Sequence, residues 1–286
     1  MIIGIFHQGS GLGNQLHRLV ATRVKAADLG VDWAMIYTPD GSGKVSGFKG
    51  SGFMDIGIWN KGLKNKVFKF DPTGNTFSNV PLEPESESGF FAEKVVIDEF
   101  GNDIRNYDPE FNFIEDNTLI DGEFQDERYW AHREKEVDEW LKVAPLGSHD
   151  DLCVIGFRGG EYSVFPDLFL TSDYWDWAIV RMRKINPFIK KYEIHTDDII
   201  TAKKILEPLL YNGGYKVQYI HDIGLNWRSM RFAKYAIIAN SSFYILPRWL
   251  RQGEGGAVTI APRYWARRNT KIWALPQNYY SRFQYI

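Results

Sequence analysis

The chain opens on the apolar run MIIGIF, which reads as a buried strand. After a glycine-rich turn, Leu16, Leu19, Val20, Val24 and Ala27 fall at helical spacing, and Gly30 marks a stop. VDWAMIYT reads as a second strand, so the segment is a βαβ unit with parallel pairing. From about residue 40 to 90 the pattern fades into stretches rich in Gly, Ser, Pro and Glu, such as GSGKVSGFKGSGF and PLEPESESG, which read as loops. DERYWAHREKEVDEWLK predicts a helix with Trp130, Val137, Trp140 and Leu141 on one face, and VAPLGSHDD follows as a linker.

Beyond the linker, strand and helix patterns alternate. DLCVIGF, KYEIH, YKVQYI, AIIA and AVTIAP read as strands; YWDWAIVRMRKI, DDIITAKKILEPLL, NWRSMRFAKY and the shorter SSFYILPRWLR read as helices. Repeated βα units predict a doubly wound α/β fold with ligands beyond the carboxyl ends of the strands. The expected architecture is two Rossmann-like domains facing a cleft, spanning 1–148 and 149–286.

A length of 286 residues accommodates two such domains. A net charge of -2 carries no basic excess and argues against nucleic acid as the main partner. Aromatic residues make up 15% of the chain, with 10 Trp; they suit sugar or base stacking, although aromatics pack cores more often. The one cysteine, Cys153, lies in an apolar run and excludes a disulfide framework. MIIGIF has no basic stretch before it and is too short for a signal core, and no apolar run reaches membrane-spanning length. The expectation is a cytoplasmic enzyme or binding protein without a membrane span.

If ligands sit where strands end, four loops matter: GSGLGNQ, RGGEY, TDD and NSSF. In the first, glycines bring backbone close to an anion at a helix start, or simply make a tight turn. It is not a dinucleotide fingerprint, because Asn14 stands where the sixth position needs Gly, and no P-loop Lys follows. In the second, Arg158 offers a forked, permanently charged donor suited to a diphosphate, and Glu161 offers a base or a hydroxyl-orienting carboxylate. An exposed Arg–Glu pair is also an ordinary surface feature. Thr196, Asp197 and Asp198 can cap a helix, while a carboxylate can also accept the paired donors of a guanine. Asn240, Ser241, Ser242 and Phe243 open another helix and can cap it or hold a phosphate.

Taken together and in order, these pieces resemble the GDP-fucose-dependent fucosyltransferases of the α-1,2, α-1,6 and protein-O type, the α-1,2 group above all. GLGNQL resembles that family's first loop, and GEFQDERYW its G-Y-F-Q-S-E-x-Y-F segment. FRGGEY stands where the family has H-x-R-R-G-D-Y, HTDD where it has S/T-D-D, and ANSSF with RYWARRN where it has its last motifs. The resemblance implies a GT-B fold and inverting, metal-independent transfer of a sugar, fucose foremost, from a GDP-sugar substrate to a glycan hydroxyl, with no cofactor. It implies that Arg158 binds the donor β-phosphate and that Asn14 lies near the phosphates and sugar. It also implies that Asp197 and Asp198 read the base and that Ser241, Ser242 and Phe243 contact phosphate. Gly11, Gly13, Gln15, Phe157, Thr196 and Asn240 complete the donor-facing set, and Glu161 is the candidate base. Departures are Gly156 for the motif histidine, Gly159 for its second arginine, Glu161 for its aspartate, and Ile245 and Leu246 where tryptophans stand. Alternatives are a different nucleotide-sugar donor, an NAD-linked oxidoreductase, or a non-catalytic carbohydrate-binding protein.

Overall fold

A computed structural model describes residues 1–38, 47–55, 89–97, 103–105, 107–165, 167–263 and 280–286. Most of the glycine- and serine-rich loops expected between 40 and 90, and RYWARRN beyond Arg263, lie outside these residues. The fold is mixed α/β with two parallel sheets. The chain divides into two compact units, Met1–Val96 with Arg105–Val143, and Ile97–Ile104 with Ala144–Ile286.

In the first unit, β1 (Ile2–Phe6), α1 (Leu12–Leu29) and β2 (Trp33–Tyr37) form the βαβ unit, with Ile2 opposite Trp33 and Phe6 opposite Tyr37. Gly30 ends α1 in the left-handed region at φ 69°, as its place after the apolar stripe predicts. The sequence pattern missed β3 (Gly89–Ala92) and β6 (Thr118–Asp121), which are too short to show a period. β4 (Val95–Ile97) and β5 (Asp103–Arg105) make a separate two-stranded sheet. The main sheet runs β2-β1-β6-β3, all parallel, and Ile3, Ile5, Ala34, Ile36 and Leu119 pack one of its faces.

The single helix expected over 126–142 is instead two 3-10 turns, Glu127–Tyr129 and Ala131–Arg133, followed by α2 (Glu134–Trp140). The cause is local. The Asp126 side chain accepts from the Arg128 backbone N–H, and Trp130, fully buried, sits at φ -142° and ψ -12°, outside helical geometry. Trp130, Val137 and Leu141 are still buried together, while Trp140 lies half-buried beneath the Arg23 guanidinium.

The second unit alternates β7 (Leu152–Phe157), α3 (Ser172–Ile185), β8 (Lys191–Thr196), α4 (Ile199–Leu210), β9 (Lys216–Ile220), α5 (Ile223–Phe232), β10 (Tyr235–Ile238), α6 (Ser242–Gly253), β11 (Val258–Ala261) and β12 (Gln284–Tyr285). The strand order is β12-β11-β10-β7-β8-β9, all parallel. This is the doubly wound order. The chain direction across the sheet reverses between β7 and β10, and the carboxyl ends at such a reversal are where doubly wound folds take ligands.

Arg248 of α6 is fully buried, has no carboxylate partner among the described residues, and ties the unit together. It donates to Thr259 Oγ1 at 2.9 Å, Met230 O at 2.8 Å, Ala233 O at 2.7 Å and Val258 O at 3.2 Å. Burial pulls its pKa down to about 9, which still leaves it charged at neutral pH. Replacing it strands several buried acceptors. Arg248→Met is therefore expected to lower stability by about 3 kcal/mol in urea unfolding, with an unchanged slope. A loss under ~1 kcal/mol would mean those acceptors are satisfied another way.

Candidate functional site

The carboxyl ends of β7, β8 and β10 bring together three loops far apart in sequence. Arg158 follows β7 directly. Its Nη1 donates to Asp197 Oδ2, and its Nη2 donates to Glu161 Oε1 at 2.8 Å. The other Asp197 oxygen accepts the Gly159 backbone N–H at 2.9 Å. The Tyr162 ring stacks against the guanidinium at 5.2 Å. Partial burial would lower the Arg158 pKa, but Asp197, Tyr162 and Glu161 more than offset it and hold the group above its ordinary value. Glu161 is mostly solvent-exposed, at 65%, so its pairing with Arg158 contributes little and is the exchangeable one.

Space, rather than chemistry alone, fixes the glycines of this loop. A Cβ at Gly159 would lie 2.7 Å from Asp198 Cβ, and one at Gly160 would lie 2.4 Å from Asp197 Oδ2. Gly160 also holds φ +35°, a region that disfavours side chains. The resembling family's second arginine therefore has no room at position 159. Position 156 is closed in the same way: a Cβ there would meet the Tyr244 ring at 2.6 Å and Met230 Cε at 2.9 Å. Tyr244, in the first turn of α6, reaches the Phe157 carbonyl with its hydroxyl at 3.3 Å. The tyrosine thus takes the place a motif histidine would fill.

The remaining residues of the second unit divide by role. Asp198 caps α4, accepting the Thr201 N–H at 3.0 Å and the Thr201 hydroxyl at 2.5 Å, and these bonds hold its pKa below the ordinary value. Thr196 is buried, and its hydroxyl accepts the Asp198 N–H at 2.9 Å. Phe157 is wholly buried between Trp175 and Phe169, a core position. Asn240 donates to Leu168 O at 2.9 Å. Ser241 occupies the N-cap of α6 without a side-chain cap bond, and that first turn holds no acid. Phe243 is partly exposed and packs edge-on against Trp227.

In the first unit, the two motifs of the sequence pattern are each other's partners. Gln125 donates to Asn14 at 3.2 Å, and Arg18 of α1 donates to Glu123 at 2.7 Å. His17 packs edge-on against Trp130, and burial drops its pKa to about 4. Gln15 is buried and holds the 47–49 segment, accepting the Lys49 N–H at 3.0 Å and donating to Gly47 O at 3.4 Å. Gly13, within α1, is buried and lends its carbonyl to His17 Nδ1 at 2.9 Å. Gly9 needs its φ of +80°, whereas Gly11, at φ -66°, has open space where a Cβ would stand.

Sequence reasoning overlooked a cluster at the carboxyl ends of β1 and β6. His7 Nε2 lies 2.8 Å from Asp121 Oδ1, and Arg18 Nη1 donates to that same oxygen at 2.8 Å. A signal was present: His7 and Asp121 are each the polar residue closing an apolar run, MIIGIF and TLI.

No protein-family model matches the chain, and no curated protein matches it. Among solved structures it is similar to POFUT1 in complex with GDP-fucose, at 11% identity over 90% of this chain and 95% of that one, with a TM-score of 0.46. It is also similar to the E. coli heptosyltransferase WaaC with ADP, at 12% identity over 94% of this chain and 89% of that one, with a TM-score of 0.44.

Two outcomes follow from the geometry. Gly156→Ala is expected to cost about 1–3 kcal/mol by overpacking, and Gly156→Ala/Tyr244→Ala to cost clearly less than the sum of the single changes. Additive costs would remove Tyr244 as the reason for the glycine. Asp198→Ala should cost about 1 kcal/mol at neutral pH as a lost cap. The depressed pKa means this contribution is present above the ordinary aspartate range and fades as pH falls through the folded value. The gap between the two proteins should therefore close in acid, and a constant gap from neutral pH to acid would refute the capping role.

Proposed function

We propose that this chain is an inverting glycosyltransferase that moves a sugar from a nucleotide-diphosphate donor, GDP-fucose first, to a glycan hydroxyl without a metal ion. The observation that carries the reading is Arg158. It stands at the reversal point of a doubly wound sheet, where such folds take ligands, and its guanidinium is held by Asp197 on one side only. A donor diphosphate displaces Glu161 from Nη2 and forms a forked, charge-assisted pair.

The α6 N-terminus, with neither a side-chain cap nor an acid in its first turn, lies beside that position. Its register is set by Tyr244 against Gly156 and Phe157. Helix N–H groups and Arg158 together supply positive potential for the charge that grows on the leaving diphosphate. In this reading Asp197 positions Arg158, Asp198 caps α4, and the preference for GDP rests on the order of FRGGEY, HTDD and ANSSF. The open backbone at Gly11, which no described neighbour requires to be glycine, supports close approach of a ligand to the first loop.

The test compares nucleotides by melting temperature and follows donor turnover. GDP should raise the melting temperature more than UDP, CMP or NAD. Arg158→Ala should remove that rise and slow sugar transfer roughly 100- to 1000-fold while the protein stays folded. Near-normal transfer by Arg158→Ala would remove the residue from the mechanism. A response to NAD, or glycan binding indifferent to every nucleotide, would favour the oxidoreductase or the carbohydrate-binding protein instead.

A further inference from the structure

The middle of β8 carries a carboxylate where a strand of a doubly wound sheet ordinarily carries an apolar side chain. Glu193 pairs in register with Val154 of β7, and His195 with Gly156 of β7 on one side and Ile220 of β9 on the other. Side chains alternate along a strand, so these residues share one face of the sheet, the face that meets Met230 of α5. His195 is fully buried, and neither ring nitrogen has a hydrogen-bond partner; Nε2 stops 3.5 Å from Glu193 Oε2. A buried imidazole and a carboxylate that fall short of full pairing call for an explanation beyond packing.

Beside them lies a cavity of about 200 Å³, formed wholly within the second unit. Its apolar walls are Leu146, Leu152, Val154, Ile220, Leu225 and Phe232, and its polar side chains are Glu193, Ser229 and His149. Leu225 and His149 are exposed, so the space communicates with solvent. The segment that closes it is stapled to α5 and to the residue pair that follows it. Arg228 donates to Ala144 O at 2.8 Å and to Pro145 O at 3.2 Å, and the Lys234 N–H donates to Ser148 Oγ at 3.2 Å. At ~30 Å³ each, roughly six waters would fill this volume, most of them lying against hydrocarbon. An apolar cavity of about 150 Å³ takes a benzene ring, so a ring bearing a short polar arm is the better match in size.

The charge on the wall narrows the choice. The His195 imidazole, ahead of the opposing effect of burial, holds the Glu193 carboxyl below its ordinary value, and the Ser229 hydroxyl adds to it, so Glu193 is ionised at neutral pH. A carboxylate offers about four acceptor positions, and these two neighbours occupy at most half of them. Among the described residues no lysine or arginine lines the cavity. The nearby cations are engaged elsewhere: Lys234 with Asp150 at 2.8 Å, and Arg228 with the carbonyls already named.

We infer that this cavity is a binding site for a small organic cation, a primary ammonium seated on Glu193 with a compact apolar body between α5 and the sheet. The ammonium supplies the donors that the carboxylate lacks, and the ring covers Val154, Ile220 and Phe232. The same carboxylate repels an anion, while a neutral alcohol gains only an uncharged hydrogen bond. The site does not involve Arg158: Asp197 lies four residues further along the chain of β8, roughly 13 Å away in an extended strand. The inference therefore stands apart from the transferase reading.

The test uses benzylamine, cationic at neutral pH, against benzyl alcohol and benzoate, which have nearly the same shape. Titrated into the full chain and followed by amide NMR, benzylamine should shift the signals of Glu193, Ser229 and Leu225 saturably. It should bind at least about tenfold more tightly than benzyl alcohol, and benzoate should leave those signals unmoved. Glu193→Gln keeps the shape of the wall and removes its charge, so the advantage of the amine should vanish while the alcohol still binds. Leu225→Trp, at the exposed rim, should weaken amine and alcohol alike, and it carries the test if Glu193→Gln does not fold. Benzylamine that gives no saturable shift at millimolar concentration would overturn the site. So would an amine that binds no better than the alcohol, that keeps its advantage in Glu193→Gln, or that binds Leu225→Trp as tightly as the unaltered protein.

Discussion

One carboxylate organises the second unit. Asp197 uses one oxygen for the Arg158 guanidinium and the other for the backbone N–H that follows it, so cation and loop are set by a single group. That grip brings β8 so close to the loop after β7 that only glycine fits at 159 and 160. The apparent losses relative to the resembling family are therefore consequences of packing. A second arginine at 159 and a histidine at 156 would each need space that Asp198, Tyr244 and Met230 occupy.

The first unit repeats the logic with different groups. GEFQDERYW is a knot of fixed backbone: Phe124 holds a positive φ of 48°, and the Glu93 carboxylate accepts the N–H groups of Glu123 and Phe124 at 2.7 and 3.2 Å. The Phe124 ring packs at 5.2 Å from Tyr129, whose hydroxyl accepts the Asp108 N–H at 2.8 Å. This scaffold delivers Glu123 to Arg18, and Arg18 in turn fixes Asp121. An ionised acid behind an imidazole is thus maintained by residues well removed from the surface.

Much of the second unit was legible because its strands are buried on both faces and read as continuous apolar runs, as DLCVIGF and AIIA do. The first unit was legible only as far as β2. TLID and GFFA are too short to show a period, and DERYW looked helical because its buried residues fall at a spacing that a pair of 3-10 turns mimics. Arg158 and its neighbours were legible as a cluster of strand-end residues, but their division of labour was not. Whether an acid in HTDD caps a helix or grips an arginine depends on which loop folds beside it, and sequence distance hides that. His7 escaped notice for the same reason, since its partner lies 114 residues away.

Each motif pairing described here closes within one unit: Asn14 with Gln125 and Arg18 with Glu123 in the first, Arg158 with Asp197 and Gly156 with Tyr244 in the second. A sequence built this way can diversify piecemeal: the residues that hold one of these loops can be exchanged together with their own partner, as a local pair, and the pairings described in the other unit need not be rewritten.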